Sequence, residues 1–410
     1  MAFTRLVKDW CRHGSWVGDE GHHCDARIVL IGEAGGKEED LTGLPFMGQS
    51  GERLKDWWAK VGLDRNDIYI TNVVRRRPNA ANDIDLVGKE ELQAGVQSLH
   101  ARLSCLADPY VIVPTGNTSL NALLGYGRLD TADKLKITDW RGSILSTVLG
   151  QRSVKTIPTI HPAATFRQPI LQKFCIADWS RIAKDSFFKE LNLPERTYII
   201  DPEPEQIERF INGAEVGYND LYELGVPPAL VFDVENSLTK RGNQLLFKEL
   251  TCVGFCYDPK FSLTISTLKR DYGSLEAYQA AIEAIRTLCS LPIPKVALNG
   301  LTDVYKLHHA LGIDVVNYKW DLMEMDHALD PNDGGDTERG GEDASKEPQF
   351  KMEMRSLHIL QSLYSRSPYH KDEGKSWDRV DQLRYNGKDC CEEWEVYGAL
   401  YQRLKQAGRV

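Results

Sequence analysis

Short apolar runs rich in Val, Ile and Leu, each ending in glycine or a polar loop, recur through the first half of the chain. ARIVLIGEAGG, DIYITNVV, PYVIVPTG and VKTIPTIHP have the length and β-branched content of buried strands. SGERLKDWWAKVGL and KEELQAGVQSLHARLSCL lie between them and read as helices. Strand and helix alternate, which predicts an α/β domain with a parallel sheet between two layers of helices. Ligand groups in such a sheet gather at the C-terminal ends of the strands, where GEAGG, TNVVRRRP and HPAATFR fall.

The pattern changes near residue 194. Residues from Asp185 to Pro194 read as the end of a helix followed by a linker, after which RTYIID starts a new strand and PEPEQIERFINGA a capped helix. PALVFDVEN, LTCVGFCYD and FSLTISTL are three strands in succession, followed by the helix EAYQAAIEAIRTLCSL, the strand KVALNG and helices to the end. An antiparallel meander joined to alternating helices and strands predicts a second α/β domain with a mixed sheet. The expected division is 1–193 and 194–410. Residues 332–348, rich in Gly and acid, are expected to form a mobile surface loop.

Composition agrees with two soluble domains: 410 residues, 42% hydrophobic and 27% charged. No apolar run approaches the roughly 18 residues that span a bilayer, and MAFTRLVKDWCRHG is charged where a signal peptide is apolar. A cytoplasmic or nucleoid-associated protein, in a bacterium or a virus-infected host, with no membrane partner is expected. Nine scattered cysteines fit reduced thiols better than a disulfide framework. The net charge of −9 is uneven: residues 1–200 hold 26 Lys and Arg against 24 Asp and Glu, and residues 201–410 hold 24 against 35. An acidic half suits either a solvated surface or carboxylates gathered for divalent cations.

In ALVFDVEN, Asp233 and Glu235 are two apart on a strand and therefore share one face. Asn299 and Asp303 are four apart at an expected helix start, as are Tyr385 and Asp389 in RYNGKDCCEEWEVY, which sets each pair on one helical face. Four acids and a tyrosine from separate segments could hold two Mg²⁺ or Mn²⁺ ions around a phosphodiester. The order FDVEN, N-x3-D, YN-x2-D, with KWDLMEMDHALDP and SLYSRSPYHKDEGK between, resembles the DEDD exonuclease superfamily in its Tyr-containing branch, as in the proofreading domains of family A DNA polymerases. The resemblance covers roughly residues 197 to 410. It implies an RNase H-like fold, 3′–5′ exonuclease activity, Asp233, Glu235, Asp303 and Asp389 as metal ligands, and Tyr385 as the group that orients the attacking water.

LIGEAGGKEEDLTGLPFMGQSG lacks the spacing of either common glycine-rich nucleotide loop. With YITNVVRRRP, WRGSILS and PTIHPAATFR it resembles the family 4 uracil-DNA glycosylases, over about residues 25 to 190. By that resemblance Phe46 stacks on an extruded base, Asn72 reads the uracil edge, Glu33 is the active-site acid, and His161 meets the charge growing on the departing uracil. Family 4 enzymes hold an iron–sulfur cluster on four cysteines. Here Arg76 and, by alignment, Gly95 stand at two of those positions and Cys11 and Cys24 are far apart, so no cluster is expected. Gly35 replaces the usual proline of the loop, which adds freedom there. Arg75, Arg76 and Arg77 are expected phosphate contacts.

The two resemblances together imply a metal-dependent 3′–5′ exonuclease carrying a glycosylase-like domain, with single-stranded DNA or 3′ ends as its partner. Certain virus-encoded family A polymerases have this order, with a polymerase domain following. Because the sequence stops at LKQAGRV, the expectation is a free nuclease, the proofreading part of a split polymerase with a separately encoded partner, or a truncated chain. The alternative is a non-catalytic DNA-binding or polymerase-accessory subunit with degenerate sites.

Overall fold

Buried runs of β-branched residues become the central strands of two sheets, each in its own compact unit, Met1–Leu193 and Pro194–Val410. The computed structural model describes residues 16–21, 26–79, 83–125, 134–216, 225–241, 244–331, 355–375 and 378–410. The expected loop at 332–348, and Cys11 and Cys24, lie outside them.

The first unit runs β1 (Ile28–Ala34), α1 (Lys37–Thr42), α2 (Gln49–Lys60), β2 (Ile68–Val74), α3 (Lys89–Ser104), β3 (Val111–Pro114), α4 (Asn117–Leu123), α5 (Ile137–Trp140), β4 (Leu145–Leu149), β5 (Arg152–Thr156), α6 (Pro162–Arg167) and α7 (Leu171–Asp185). Its sheet has the order β2-β1-β3-β5-β4. The first four strands are parallel, and Val29, Ile31, Val73 and Ile112 pack beneath Val96, Leu99 and Leu103 of α3. The expected parallel sheet is extended at one edge by an antiparallel strand, β4, which pairs with β5 from Leu145↔Thr156 to Leu149↔Arg152. An edge strand has one free side and needs no continuous apolar run, so LSTVL gave no strand signal. Chain order reverses at β1, between β2 and β3, so the crevice of a doubly wound sheet opens at the end of β1.

The second unit runs β6 (Thr197–Ile200), α8 (Pro204–Val216), β7 (Leu230–Arg241), β8 (Gln244–Asp258), β9 (Phe261–Ser266), α9 (Leu275–Ser290), β10 (Lys295–Ala297), α10 (Leu301–Leu311), β11 (Tyr318–Asp321), α11 (Leu322–Leu329), α12 (Leu357–Tyr364) and α13 (Arg379–Gln406). Its order is β11-β10-β7-β8-β9-β6, with antiparallel β7-β8-β9 inside parallel flanks. Strand β7 divides its residues by parity. Leu230, Phe232 and Val234 enter a core with Ile285 and Leu288 of α9, while Val231 packs with Cys390, Trp394 and Tyr397 of α13. Asp233 and Glu235 share the parity of Val231, which turns both carboxylates toward α13. β11, which the sequence did not signal, is a four-residue edge strand with no fully buried residue.

Candidate functional site

Four of the residues expected to act together in the first unit surround the end of β1. Gly32 makes this possible: a Cβ there would lie 2.2 Å from Oδ1 of Asn72 and 2.6 Å from Cε2 of Phe46. Without it, the amide and the ring both close on the strand. Phe46 sits at φ 52°, a left-handed conformation unusual for an aromatic residue. It is held there by Arg65, which donates to the carbonyls of Pro45 (2.6 Å) and Phe46 (3.2 Å) and is paired with Glu20 at 2.6 Å. Glu39 accepts from the backbone N–H groups of Gly36, Met47 and Gly48 at 2.9, 2.8 and 3.1 Å, which fixes both flanks of the loop.

His161 caps α6, and its ring centroid is 5.8 Å from that of Phe46. Nδ1 accepts from Ala163 N–H at 3.2 Å, so the neutral ring carries its hydrogen on Nε2. Burial, with Arg167 nearby, lowers its pKa to about 4. Glu33 accepts from the Thr118 hydroxyl. Burial raises its pKa, and the Thr118 hydrogen bond opposes the rise.

The arginine expectation is corrected at Arg76, and Arg75 has structural partners of its own. Arg76 is buried in an ion pair with Glu91 and donates to the carbonyls of Arg77 (2.9 Å) and Pro78 (3.1 Å). Arg75 lies over the Trp16 ring, donates to Val17 O at 3.1 Å and faces Asp19. Both guanidinium groups are thus spent on holding the segment after β2. A cysteine at position 95 would bring its Cβ 2.8 Å from Val73 O. The residues at 76 and 95 therefore do not fit an iron–sulfur ligand set. Gly35 brings closeness where freedom was expected, since a Cβ there would lie 2.6 Å from Val17 Cγ2.

In the second unit, α13 approaches the sheet so closely that a Cβ on Gly254, opposite Asp233 in β8, would lie 2.2 Å from Oδ1 of Asn386 and 2.6 Å from Sγ of Cys390. That closeness lets Asn386 Nδ2 donate to Asp233 Oδ2 at 2.8 Å and brings Asp389, 4% exposed, to the strand. Carboxylate oxygens of Asp233, Glu235 and Asp389 all lie within 4.8 Å of one another. Asp303, in the first turn of α10, is 6% exposed and accepts from Lys306 at 3.0 Å. Tyr385 is one turn before Asp389 on α13. The expected pairing of Asn299 with Asp303 is corrected: α10 begins at Leu301, and Asn299, at φ 55°, precedes it with its N–H on Asp321 Oδ1 at 3.1 Å.

Burial and mutual repulsion raise the site acids: Asp233 well above the ordinary range, Glu235 to about 7, and Asp303 to about 6 mainly by burial. Asp389 is the exception, at about 2. Burial pushes it up, but Lys371 and His370 outweigh burial. His370 Nε2 meets Asp389 Oδ1 at 2.8 Å, and Nδ1 lies 3.3 Å from Glu392. Glu393, one turn beyond Asp389, is buried with its Oε2 unpartnered, and burial beside Asp233, Asp389 and Asp303 raises its pKa. Such a cluster of hard oxygen donors, carrying more carboxylates than cations, fits a divalent cation.

The profile of the uracil DNA glycosylase superfamily matches residues 19–183. The type-4 uracil-DNA glycosylase of Archaeoglobus fulgidus is 33% identical over 159 residues, 39% of this chain and 76% of that protein. Through its first unit, the chain belongs to the uracil-DNA glycosylase superfamily. A DNA polymerase of Bacillus phage SP01 is 30% identical over 159 residues, 38% of this chain and 16% of the polymerase. Among solved structures, Escherichia coli RNase D superposes with a TM-score of 0.32 at 12% identity, over 52% of this chain and 46% of that one. No helix among the described residues is long and apolar enough to cross a membrane.

Several residues of both sites escaped the sequence. Thr118 and Arg65 act from ordinary helical and loop segments, far in sequence from Glu33 and Phe46. His370 and Lys371 stand in SPYHKDEGK, a segment without the spacing that marks the carboxylate motifs. Glu393 had a signal that went unused: Tyr385, Asp389 and Glu393 repeat at intervals of four on one helix.

Proposed function

We propose that the protein is a metal-dependent 3′–5′ DNA exonuclease that also carries a uracil-DNA glycosylase pocket. The observation that carries the nuclease reading is the meeting of Asp233, Glu235 and Asp389 within 4.8 Å, with Asp303 and Tyr385 near enough to interact with them. A bound Mg²⁺ or Mn²⁺ pair would supply Lewis-acid stabilisation of the phosphodiester and of the departing 3′ oxygen. The chain's own part is to hold that centre and orient water. Asn386 fixes Asp233, His370 and Lys371 fix Asp389, and Tyr385 presents its hydroxyl to the attacking water. The phage polymerase relative supports DNA as the substrate and leaves a polymerase partner as a further element of the proposal.

For the first unit, the family membership and the convergence of four side chains support base removal. Phe46 stacks on the extruded base and Asn72 pairs with its edge. His161 donates from Nε2 to the oxygen that gains charge, and the Glu33 carboxylate favours the positive sugar. The buried Arg76–Glu91 pair supports a glycosylase unit built without an iron–sulfur cluster.

The test is Asp233→Ala combined with Glu235→Ala on 3′-labelled oligonucleotide with Mg²⁺. Metal stabilisation of a phosphoryl transition state is worth several kcal/mol, so digestion should fall about a thousandfold or more while the fold persists. Digestion at the parent rate would show that the carboxylates are not the site.

A further inference from the structure

Lys371 reaches the carboxylate centre from the segment between α12 and α13. Its ammonium donates to the Tyr385 hydroxyl oxygen and to Asp389 Oδ2, both at 2.8 Å, and lies 5.2 Å from the Tyr385 ring centroid. Tyr385 and Asp389 are one helical turn apart, so the lysine ties the phenol to the carboxylate across that turn. Its side chain remains 27% exposed. The other lysine of the site, Lys306, is committed to Asp303, and the other oxygen of Asp389 to His370. Neither can take over this contact.

The hydrogen-bond inventory gives the contact a direction. An ammonium only donates, so the phenol oxygen must accept from Lys371, and the single phenol hydrogen must point elsewhere. We propose that Lys371 is a positioning residue for phosphodiester hydrolysis, holding Tyr385 so that its O–H is turned toward the attacking water. This rests on the exonuclease reading. A free phenol would rotate among several acceptors in a site crowded with carboxylates, and only a fraction of those orientations would serve the reaction.

The experiment compares Lys371→Met, Lys371→Arg, Tyr385→Phe and the Lys371→Met/Tyr385→Phe double variant, with Asp233→Ala/Glu235→Ala as control. Single-turnover digestion of a 3′-labelled single strand is followed at saturating Mg²⁺, with strand binding measured by anisotropy and folding by thermal unfolding. The expected result is a drop in rate of about 10- to 100-fold for Lys371→Met, unchanged binding, and partial recovery in Lys371→Arg. The double variant should be no slower than the slower single variant, because both substitutions remove the same oriented O–H. Losses that multiply in the double variant, or parent-rate digestion by Lys371→Met, would overturn the proposal while leaving the exonuclease reading intact. Digestion by the Asp233/Glu235 control would instead overturn the exonuclease reading, and this inference with it.

Discussion

His161 illustrates how local burial sets the chemistry of a single group. With its pKa near 4 and Nδ1 occupied by Ala163 N–H, the ring is neutral across the neutral range and carries its hydrogen on Nε2, as the proposed donor role requires. Base release should therefore show no inflection near pH 6.5 from this ring. His161→Ala should slow release more than it weakens binding, since the charge it meets appears only as the bond breaks; single-turnover rates and anisotropy separate the two. The same pKa has a stability consequence. Between about pH 4 and its ordinary 6.5 the unfolded ring binds a proton that the folded ring does not. This contribution is complete above pH 6.5 and is lost as pH falls toward 4. Acid titration of thermal stability should show that part removed in His161→Gln. Phe46, Asn72, Glu33 and His161 were legible because each stands in a short, distinctive motif. Arg65 and Thr118 were not, because a side chain that holds another in place needs only the right distance in space, and the sequence does not display that.

At the scale of elements, α13 decides the second site. Its register on the sheet depends on Gly254, where any side chain would meet Asn386 and Cys390. Gly254→Ala should cost about 1–3 kcal/mol by overpacking and weaken digestion, because Asn386 must yield its hold on Asp233. Denaturant unfolding and the 3′-end assay read the two effects. Full activity with unchanged stability would contradict this account of the helix. The alternation in ALVFDVEN and the fourfold spacing in RYNGKDCCEEWEVY made β7 and α13 legible together with the faces they present. β4 and β11 were not, because they are edge strands that bury little and, unlike TYII of the edge strand β6, neither LSTVL nor YKWD carries an unbroken apolar run. The start of α10 was misread because Gly300, not Asn299, is its cap, with Asp321 accepting from both backbone N–H groups.

At the scale of the whole molecule, part of the acidic excess of the second half is concentrated in one place. The acidic second half gathers Asp233, Glu235, Asp303, Asp389 and Glu393 around one centre. Glu235 and Asp303, raised to about 7 and 6, bind protons in the folded state that the unfolded chain has already released. Without divalent cation, the second unit should lose stability as pH rises from about 4 through 7. Mg²⁺ should restore most of it by replacing those protons, and thermal unfolding across pH with EDTA or Mg²⁺ measures this. A slope unchanged by the ion would count against a metal centre. The boundary near residue 194 was legible from the change of pattern.

One chain is proposed to hold two chemistries with different requirements. This is tested most directly on a single-stranded oligonucleotide with one internal uracil, labelled at its 5′ end and incubated in Mg²⁺ or EDTA, with and without alkali. The expected result is a ladder of 3′-shortened products in Mg²⁺ that vanishes in EDTA and in the Asp233→Ala/Glu235→Ala variant. One alkali-dependent break at the uracil that survives both is also expected. A ladder that persists in EDTA, or the absence of any break at uracil under every condition, would contradict the proposal.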